Sequence, residues 1–215
     1  MSITSGTSAR RARPARYDTD TLLAVAVQVF TERGYDGTSM EDLSKATGLS
    51  KSSIYHHVDG KEHLLRLALE RALAPLFAVK SEPEAVSGRA VDRLRYVVRR
   101  EVQELQRELP YVLLLLRVRG NTPTERWAME QRRGFDRWVT DLVQEAVADG
   151  DLRDDIDPAL VTRLLFGMVN SIAEWYRPGE RAGARTTSRD NGSAAGSDLA
   201  EAVLQIAFDG IRIEV

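Results

Sequence analysis

The chain has 215 residues, of which 43% are hydrophobic and 29% are charged, a composition typical of a folded globular protein. It contains no cysteine, which excludes disulfides, thiolate metal sites and cysteine nucleophiles, and fits a reducing compartment. The net charge of −2 does not by itself indicate a nucleic-acid partner. An acid-free basic arm nevertheless stands near the N-terminus, formed by Arg10, Arg11, Arg13 and Arg16.

Apolar runs in this chain are too short to cross a membrane, because a spanning helix needs roughly 18–20 consecutive apolar residues. The longest run, over residues 111–118, is interrupted by Arg117. The arginines near the N-terminus are not followed by the apolar core of a secretory signal. We therefore expect a cytoplasmic protein without a membrane partner.

The first part of the chain predicts three short helices in succession. Apolar residues of helical spacing end at Gly34, which marks the end of the first helix. The second helix begins at Thr38, whose spacing to Glu41 is that of a capping box, and ends at Gly48. Ser50 is expected to cap the third helix, which extends over residues 51–58.

A long amphipathic helix is predicted over residues 61–79, with an interruption near Pro75. An apolar stripe of helical spacing follows over residues 89–109, and Pro110 and Pro123 mark the beginnings of two further helices.

The last third of the chain predicts two helices joined by a loop. Asp157 caps the first of them, Pro158 occupies its first position, and Pro178 is expected to stop it. Residues 178–197 are rich in Gly, Ser and Arg and predict a loop, after which a final helix begins at Asp198. The pattern as a whole predicts an all-α fold without strands.

The second and third helices, joined by a glycine turn, predict a helix-turn-helix. We expect Ala46 and Leu49 to be buried at the turn, and Ile54 and Val58 to anchor the third helix. The exposed side of the third helix would then face a DNA major groove. It carries an ammonium group, small hydroxyl side chains that donate hydrogen bonds, and aromatic side chains with polar ends, at Lys51, Ser52, Ser53, Tyr55 and His56. Side-chain groups together with the free backbone N–H groups at two helix beginnings would meet phosphates, at Thr38, Ser39 and Lys61.

Residues 30–69, which read FTERGYDGTSMEDLSKATGLSKSSIYHHVDGKEHLLRLAL, resemble the DNA-binding domain of the tetracycline-repressor (TetR) family. The resemblance covers about residues 18–70 and includes the Gly-aromatic helix end, the Gly-Leu-Ser turn and the Ile-Tyr-His recognition helix. Three positions depart from the family pattern: Val58 replaces an aromatic, Gly60 replaces a capping Ser or Asn, and Thr47 replaces Ala.

The resemblance implies a flexible basic arm over residues 1–16, a helix-turn-helix domain over 17–62, a linking helix over 61–79, and a C-terminal domain over 80–215. It also implies a homodimer that binds a double-stranded DNA operator and is released by a small-molecule effector. No cofactor or metal is implied. The stretch ending in Trp-Tyr-Arg-Pro-Gly at residues 175–179 is similar to family branches that respond to acyl-CoA or other lipid-like ligands.

Two sets of residues in the C-terminal half carry the remaining expectations. The first set consists of arginines and large apolar residues that would suit an anionic or thioester ligand: Arg99, Leu113, Arg117, Trp138, Met168 and Trp175. The same residues equally suit a protein core or a surface. The second set lies on the last two helices, which are apolar over broad faces. These faces predict either a four-helix interface between two copies of the chain or a core within one chain. The residues concerned are Leu164, Leu165, Ile172, Leu204 and Phe208.

Alternative functions remain at this point. His56, His57 and His63 suggest a metal or catalytic site, but adjacent histidines point to different faces of a helix, and we expect His57 to pack at the end of the motif. An enzyme is disfavoured because the chain has no cysteine, no histidine beyond residue 63 and no phosphate loop. A DNA-binding regulator or activator that works through protein partners, without a small ligand, remains open.

Overall fold

The computed structural model describes residues 18–178 and 194–209, with the side chains of the last helix from residue 199 onward. The helices are α1 Thr19–Arg33, α2 Met40–Thr47, α3 Lys51–Tyr55, α4 Lys61–Val79, α5 Pro83–Val86, α6 Ala90–Arg107, α7 Leu109–Arg117, α8 Pro123–Ala148, α9 Pro158–Trp175 and α10 Ala194–Asp209. No strand occurs in the two described ranges, and the prediction of an all-α fold is confirmed. The predicted arm over 1–16 and residues 179–193 of the predicted loop lie outside them.

The cap of α2 lies one residue later than predicted. Ser39 Oγ accepts a hydrogen bond from the Asp42 backbone N–H, while the Asp42 carboxylate accepts one from the Ser39 N–H at 2.9 Å. This is a complete capping box. The expected Thr38–Glu41 box is wrong, because Thr38 is buried and its hydroxyl donates to the Gly34 carbonyl at 2.7 Å.

The turn between α2 and α3 depends on a glycine and a buried threonine. Gly48 takes the left-handed conformation with φ 70° and ψ 9°, which a residue with a Cβ adopts only at a cost. Thr47 is buried beside it, and its hydroxyl donates to the Leu43 carbonyl at 2.7 Å and accepts from the Leu49 N–H at 3.3 Å. The expectation that Ala46 is buried here is wrong, since Ala46 is exposed and Thr47 takes the inner position.

The linking helix α4 continues through Pro75, so the predicted interruption does not occur. A proline inside a helix has no N–H to give to the carbonyl four residues earlier, which here belongs to Arg71. Packing compensates for the missing bond, because α4 buries apolar residues both before Pro75, at Leu69 and Leu73, and after it, at Val79.

Other boundaries also differ from the predicted ones, and α3 ends at Tyr55, three residues before its predicted end. The short helix α5 was not predicted, since four residues carry too little periodicity to be recognised. Helix α9 ends at Trp175, three residues before the expected stop at Pro178. Helix α10 begins at Ala194 instead of Asp198, because the small residues ahead of Asp198 are compatible with a helix as well as with a loop.

The buried apolar residues form two clusters. The head core consists of residues of α1 to α4 together with four residues of α7 and α8, namely Tyr111, Leu114, Leu115 and Ala128. The body core is formed mainly by α6, α8, α9 and α10 and contains Phe135, Phe166 and Phe208. Helix α4 contributes to both, and Leu76 packs against both cores. The two parts are therefore joined through α4 and α7.

Most of the predicted dimer residues lie inside one chain. Leu165, Ile172, Leu204 and Phe208 belong to the body core and are between 0% and 4% exposed. Their assignment to a dimer interface is wrong, because packing of α9 and α10 on α6 and α8 already removes them from solvent. Leu164 is 60% exposed and remains available.

Candidate functional site

The exposed side of α3 forms a surface that we call the reading face, consisting of Lys51, Ser52, Tyr55 and His56. Ile54 and Val58 point the other way and are buried, at 0% and 2% exposure, which anchors α3 on the head core. Tyr55 is 52% exposed and does not belong to the head core. A cation, a hydroxyl and two aromatic side chains with polar tips thus face solvent together.

Serine hydroxyls hold the beginning of α3. Ser50 Oγ accepts from the Ser53 N–H at 3.1 Å and lies 2.8 Å from the Ser53 hydroxyl and 2.9 Å from the Ser52 hydroxyl. This confirms Ser50 as the cap of α3. Ser53 is partly buried in this cluster and contributes less surface than Ser52. Ser39, the cap of α2, is also exposed.

The side chains of two residues predicted to contact phosphates are engaged within the protein. Thr38 is 3% exposed and its hydroxyl is bonded within the α1–α2 loop, so it presents no group to a partner. The Lys61 ammonium donates to the carbonyls of Tyr35 and Thr38, both at 2.8 Å, and lies 4.2 Å from the centroid of the Tyr35 ring. Lys61 therefore ties the α1–α2 loop to the beginning of α4, a contact between distant residues that a local pattern does not reveal.

Tyr35 completes this attachment. Its ring meets that of Phe30 edge to face at 5.3 Å. Burial, followed by the negative charges of Glu62, Asp36 and Glu125, raises the pKa of Tyr35 to about 12. The phenol is thus neutral at any physiological pH, and its ring supports Lys61.

The three histidines do not form a cluster with acidic residues. His57 is exposed, so the expectation that it packs at the end of the motif is wrong. His63 Nδ1 accepts from the Asp59 N–H at 3.2 Å. Within residues 18–178 and 194–209, no group of three His, Cys, Asp or Glu side chains is arranged to hold a metal ion.

One carboxylate lies beside the reading face. Glu41 contacts Lys45 at 3.0 Å and Lys51 at 3.6 Å, and all three side chains are exposed. Hydrogen bonding to Lys45, with the charges of Lys45 and Lys51, lowers the pKa of Glu41. Lys51 must exchange this carboxylate for any phosphate that it binds.

A cavity of about 440 Å³, the central cavity, lies between α4, α6, α7, α8 and α9. Its apolar lining consists of Ala72, Pro75, Leu76, Leu105, Val112, Leu115, Leu116, Phe135, Ala159, Phe166, Gly167 and Val169. Its polar lining consists of Glu101, Glu104, Glu108, Arg132, Asp136, Arg137, Thr140, Thr162, Arg163 and Asn170. An apolar space with a few polar groups is the usual form of a small-molecule site.

A second pocket of about 690 Å³ lies where α7 ends beside the end of α9. It contains three arginines, Arg117, Arg119 and Arg177, and shares Leu116 with the central cavity. Arg117 also donates to the Thr31 carbonyl of α1 at 2.6 Å, which attaches α7 to the head.

Two family models match this chain. The model described as bacterial regulatory proteins, tetR family, matches residues 22–68, and the tetracyclin repressor-like C-terminal domain matches residues 87–187. One solved structure that is similar is that of SCO3833, a member of the TetR transcriptional regulator family from Streptomyces coelicolor A3. Its sequence is 54% identical to this chain, and the two structures superpose with a TM-score of 0.81. The match covers 96% of this chain and 98% of that one. The chain belongs to the TetR family.

More distant TetR-family relatives are similar over most of their length. The HTH-type transcriptional repressor KstR2 of Rhodococcus jostii (strain RHA1) is 28% identical over 211 residues, which is 97% of this chain and 94% of that protein. AibR, solved in complex with isovaleryl coenzyme A and operator DNA, is 22% identical with a TM-score of 0.68, covering 88% of this chain and 97% of that one, and shows the shared fold alone.

TetR-family proteins are DNA-binding transcriptional regulators and not enzymes, so the predicted class of function is confirmed. Among the helices that the structure describes, none has both the length and the apolar character needed to cross a membrane.

The six residues predicted to bind a ligand do not line the central cavity of this TetR-family protein. Arg99 pairs with Glu201 of α10 at 3.1 Å, and Trp175 is 50% exposed at the end of α9. The others lie in the second pocket, as Leu113 and Arg117 do, or pack against the body core, as Trp138 and Met168 do. Large or basic residues on an apolar helix do not indicate which side of the helix lines the central cavity, and their role in ligand binding stays a prediction.

Glu101 is a cavity residue that the sequence analysis missed, although its position in the pattern could have indicated it. It follows Leu94 and Val98 and precedes Leu105 on the stripe of α6 that faces the body, where a charged residue is out of place. A carboxyl group on a buried stripe is a better indication of a functional pocket than an aromatic residue, since an aromatic residue is expected there in any case.

Proposed function

We propose that this TetR-family protein is a cytoplasmic transcriptional repressor. In this proposal it binds a palindromic operator as a homodimer and releases it when a small molecule with an apolar body occupies the central cavity. The observation that carries the proposal is that α4 follows the reading face in the chain, beginning at Lys61, and forms part of the cavity wall, at Ala72, Pro75 and Leu76.

In the DNA-bound state the reading face enters the major groove. Lys51 and His56 meet phosphates, and Ser52 and Tyr55 donate from their hydroxyls to phosphates or base edges. The exposed Ser39, at the beginning of α2, contacts the flanking backbone. Ser53 supports this face through its bond to Ser50. A palindromic site is read because two copies of α3 enter successive grooves of the same duplex.

The homodimer forms through the outer sides of α9 and α10. Leu164 is 60% exposed and Ile206 is 70% exposed, and Leu160 and Trp175 are also exposed on α9. These exposed apolar side chains lie on the same two helices as the buried Leu165, Ile172 and Leu204. Large apolar groups in solvent on two adjacent helices favour a helical interface between two copies.

Release of DNA follows from a difference in affinity between two conformations. A ligand that binds the cavity better when α4 is displaced shifts the population toward that state, and α3 moves with the beginning of α4. Pro75 is the position at which α4 lacks one backbone hydrogen bond, and it lines the cavity. The helix therefore bends most easily where the ligand touches it.

Acyl-CoA thioesters are a second class of effector, supported by the arginines of the second pocket. Arg117, Arg119 and Arg177 would face the phosphates of coenzyme A, and an acyl chain would pass Leu116 into the central cavity. A regulator that acts only through protein partners is less well supported, because such a protein has no need of a cavity of about 440 Å³ in its body.

The test is gel retardation of the DNA upstream of the protein's own gene, at two salt concentrations. We expect specific, salt-sensitive binding by the dimer, which His56→Ala weakens and which the metal chelator EDTA does not change. Gln28→Ala, at an exposed position of α1, serves as the control variant and should bind as the unmodified protein does. Absence of specific retardation would contradict the proposed function.

A further inference from the structure

One carboxyl group of the central cavity has no partner. Glu101 Oε2 is inaccessible to solvent and accepts no hydrogen bond from any residue of the described ranges. Burial, together with the negative charge of Asp136, raises the pKa of Glu101 to about 8. A buried polar atom left without a hydrogen bond destabilises the folded state, and such atoms in native proteins call for an explanation.

A second acid faces the same space from another helix. Asp136 of α8 lines the cavity near its opening, where its side chain remains exposed, and partial desolvation raises its pKa. Neither Glu101 nor Asp136 forms an ion pair with any side chain that the structure describes. Arg132 lines the cavity as well and lowers the pKa of both acids, but its guanidinium bonds to neither.

The other acids of the wall are already neutralised. Glu104 pairs with Arg100 at 2.9 Å, and Glu108 pairs with Arg71 at 2.7 Å. The cavity therefore contains two compensated carboxylates, the buried Glu101 oxygen that has no partner, and Asp136, which has no ion-pair partner but is reached by solvent. Arg137 is engaged with Glu130 at 3.0 Å, and Arg163 is exposed at the rim, where solvent hydrates it.

We propose that the effector carries a protonated amine on an apolar body, and that its ammonium group donates hydrogen bonds to Glu101 and Asp136 inside the central cavity. The proposal rests on the proposed function and specifies the ligand of the same site. An ammonium group supplies three donors and a positive charge, which satisfies both carboxyl groups at once, whereas a carboxylate or phosphate ligand would face two acids. The apolar wall receives the rest of the molecule.

The test compares three probes with the same eight-carbon chain: octylamine, octan-1-ol and octanoate. Their binding to the intact dimer is measured by isothermal titration calorimetry. We expect octylamine to bind at least about tenfold more tightly than octanoate, which is about 1.4 kcal/mol. Octan-1-ol, with one donor and no charge, should lie between them.

Two variants test whether Glu101 and Asp136 cause the preference for octylamine over octanoate. Glu101→Gln keeps the shape of the side chain and removes its charge, so the preference for octylamine should fall about tenfold, and Asp136→Asn should reduce it less. Glu70→Gln, at an exposed position of α4 outside the cavity, is the control and should keep the full preference. Circular dichroism and the Tm of each variant show that the fold is retained.

Tighter binding of octanoate than of octylamine, no binding of octylamine, or an unchanged preference in Glu101→Gln would each overturn this inference. Octanoyl-CoA is included as a further anionic probe, and tighter binding of it than of octylamine would assign the site to acyl-CoA instead. The failure of the inference differs from that of the proposed function. In the first case DNA is still retarded but the amine is not preferred, and in the second the amine binds but no DNA is retarded.

Discussion

The reading face and the central cavity are built in opposite ways. The reading face lies within residues 51–56, on one short helix and its C-cap, and bonds such as that between Ser50 and Ser53 join residues close in the chain. The central cavity is walled by five helices, from Ala72 of α4 to Asn170 of α9. A change on the reading face should therefore alter binding and leave the fold intact, whereas a change in the body alters packing and binding together.

The strongest test of this contrast uses two neighbouring leucines of α9. Leu165→Ala removes a side chain that is 4% exposed and should cost about 2–5 kcal/mol of unfolding free energy, measured in urea. Leu164→Ala, at a side chain that is 60% exposed, should change the stability of one chain by less than about 0.5 kcal/mol.

Leu164→Glu should instead act on assembly. Placing a charge at this position on both copies should raise the dissociation constant of the dimer by about a hundredfold or more, as seen by sedimentation velocity. A Leu164→Glu protein that stays dimeric at the same concentrations would remove α9 from the proposed interface.

Two lysines of the first four helices are expected to differ in role, one contributing to DNA binding and the other to stability. Lys61→Met removes the donor of two hydrogen bonds to carbonyls and should cost about 1–3 kcal/mol of stability. Lys51→Met should leave stability unchanged, weaken operator binding about tenfold, and lower the slope of log K against log salt by about one. The opposite pattern, with Lys61→Met stable but defective in binding, would restore Lys61 as a phosphate contact.

Glu101→Gln should make stability respond differently to pH. The pKa of Glu101 is raised from its ordinary 4.5 to about 8, so between these values the folded chain holds a proton that the unfolded chain has released. The unmodified protein therefore loses stability, relative to the variant, as pH rises from 5 to 8. We expect a difference that is near zero at pH 5 and on the order of 1–3 kcal/mol at pH 8.

The control for this pH effect is Glu41→Gln. Since the pKa of Glu41 is lowered, the unmodified protein should gain stability relative to this variant as pH rises through the acidic range. Urea unfolding at several pH values measures both differences. A difference between Glu101→Gln and the unmodified protein that does not grow with pH would show that Glu101 is hydrated in the folded state.

The smallest expected effect concerns the same Glu41 and DNA. Removing its charge frees Lys51 and Lys45 from an acidic neighbour beside the reading face. Operator affinity of Glu41→Gln should rise about two- to fivefold at low salt, and the gain should fade as salt screens the charges. A loss of affinity would mean that the Glu41–Lys51 pair positions Lys51 for its contact.

Local rules account for what was predictable in this fold. The end of α1 at Gly34, the turn at Gly48 and the cap at Ser50 each depend on residues within a few positions, and the structure contains all three. The cap of α2 was misplaced by one residue because Thr38 and Ser39 are chemically similar, and the bond from Thr38 to Gly34 decided which of them faces inward.

Contacts between distant segments account for what could not be predicted. Lys61 reaches back 26 residues to Tyr35, and nothing near Lys61 in the chain indicates that partner. The burial of Leu165 and the exposure of Leu164 depend on how α9 lies on α8, and both sequence positions are apolar. The walls of the cavity depend on the packing of five helices, and none of the six residues predicted to bind a ligand lines it.

The insertion of α7 into the head core has a consequence for modular engineering. Tyr111, Leu114 and Leu115 of α7, with Ala128 of α8, complete the core on which α1 to α4 pack. A fragment that ended with α4 would expose that core to solvent. The first four helices therefore cannot be transferred to another protein as an independent DNA-binding unit. Exchange of DNA specificity between relatives should succeed by grafting the side chains of α3, and chimaeras of this protein should keep α7 and α8 with the head that they support.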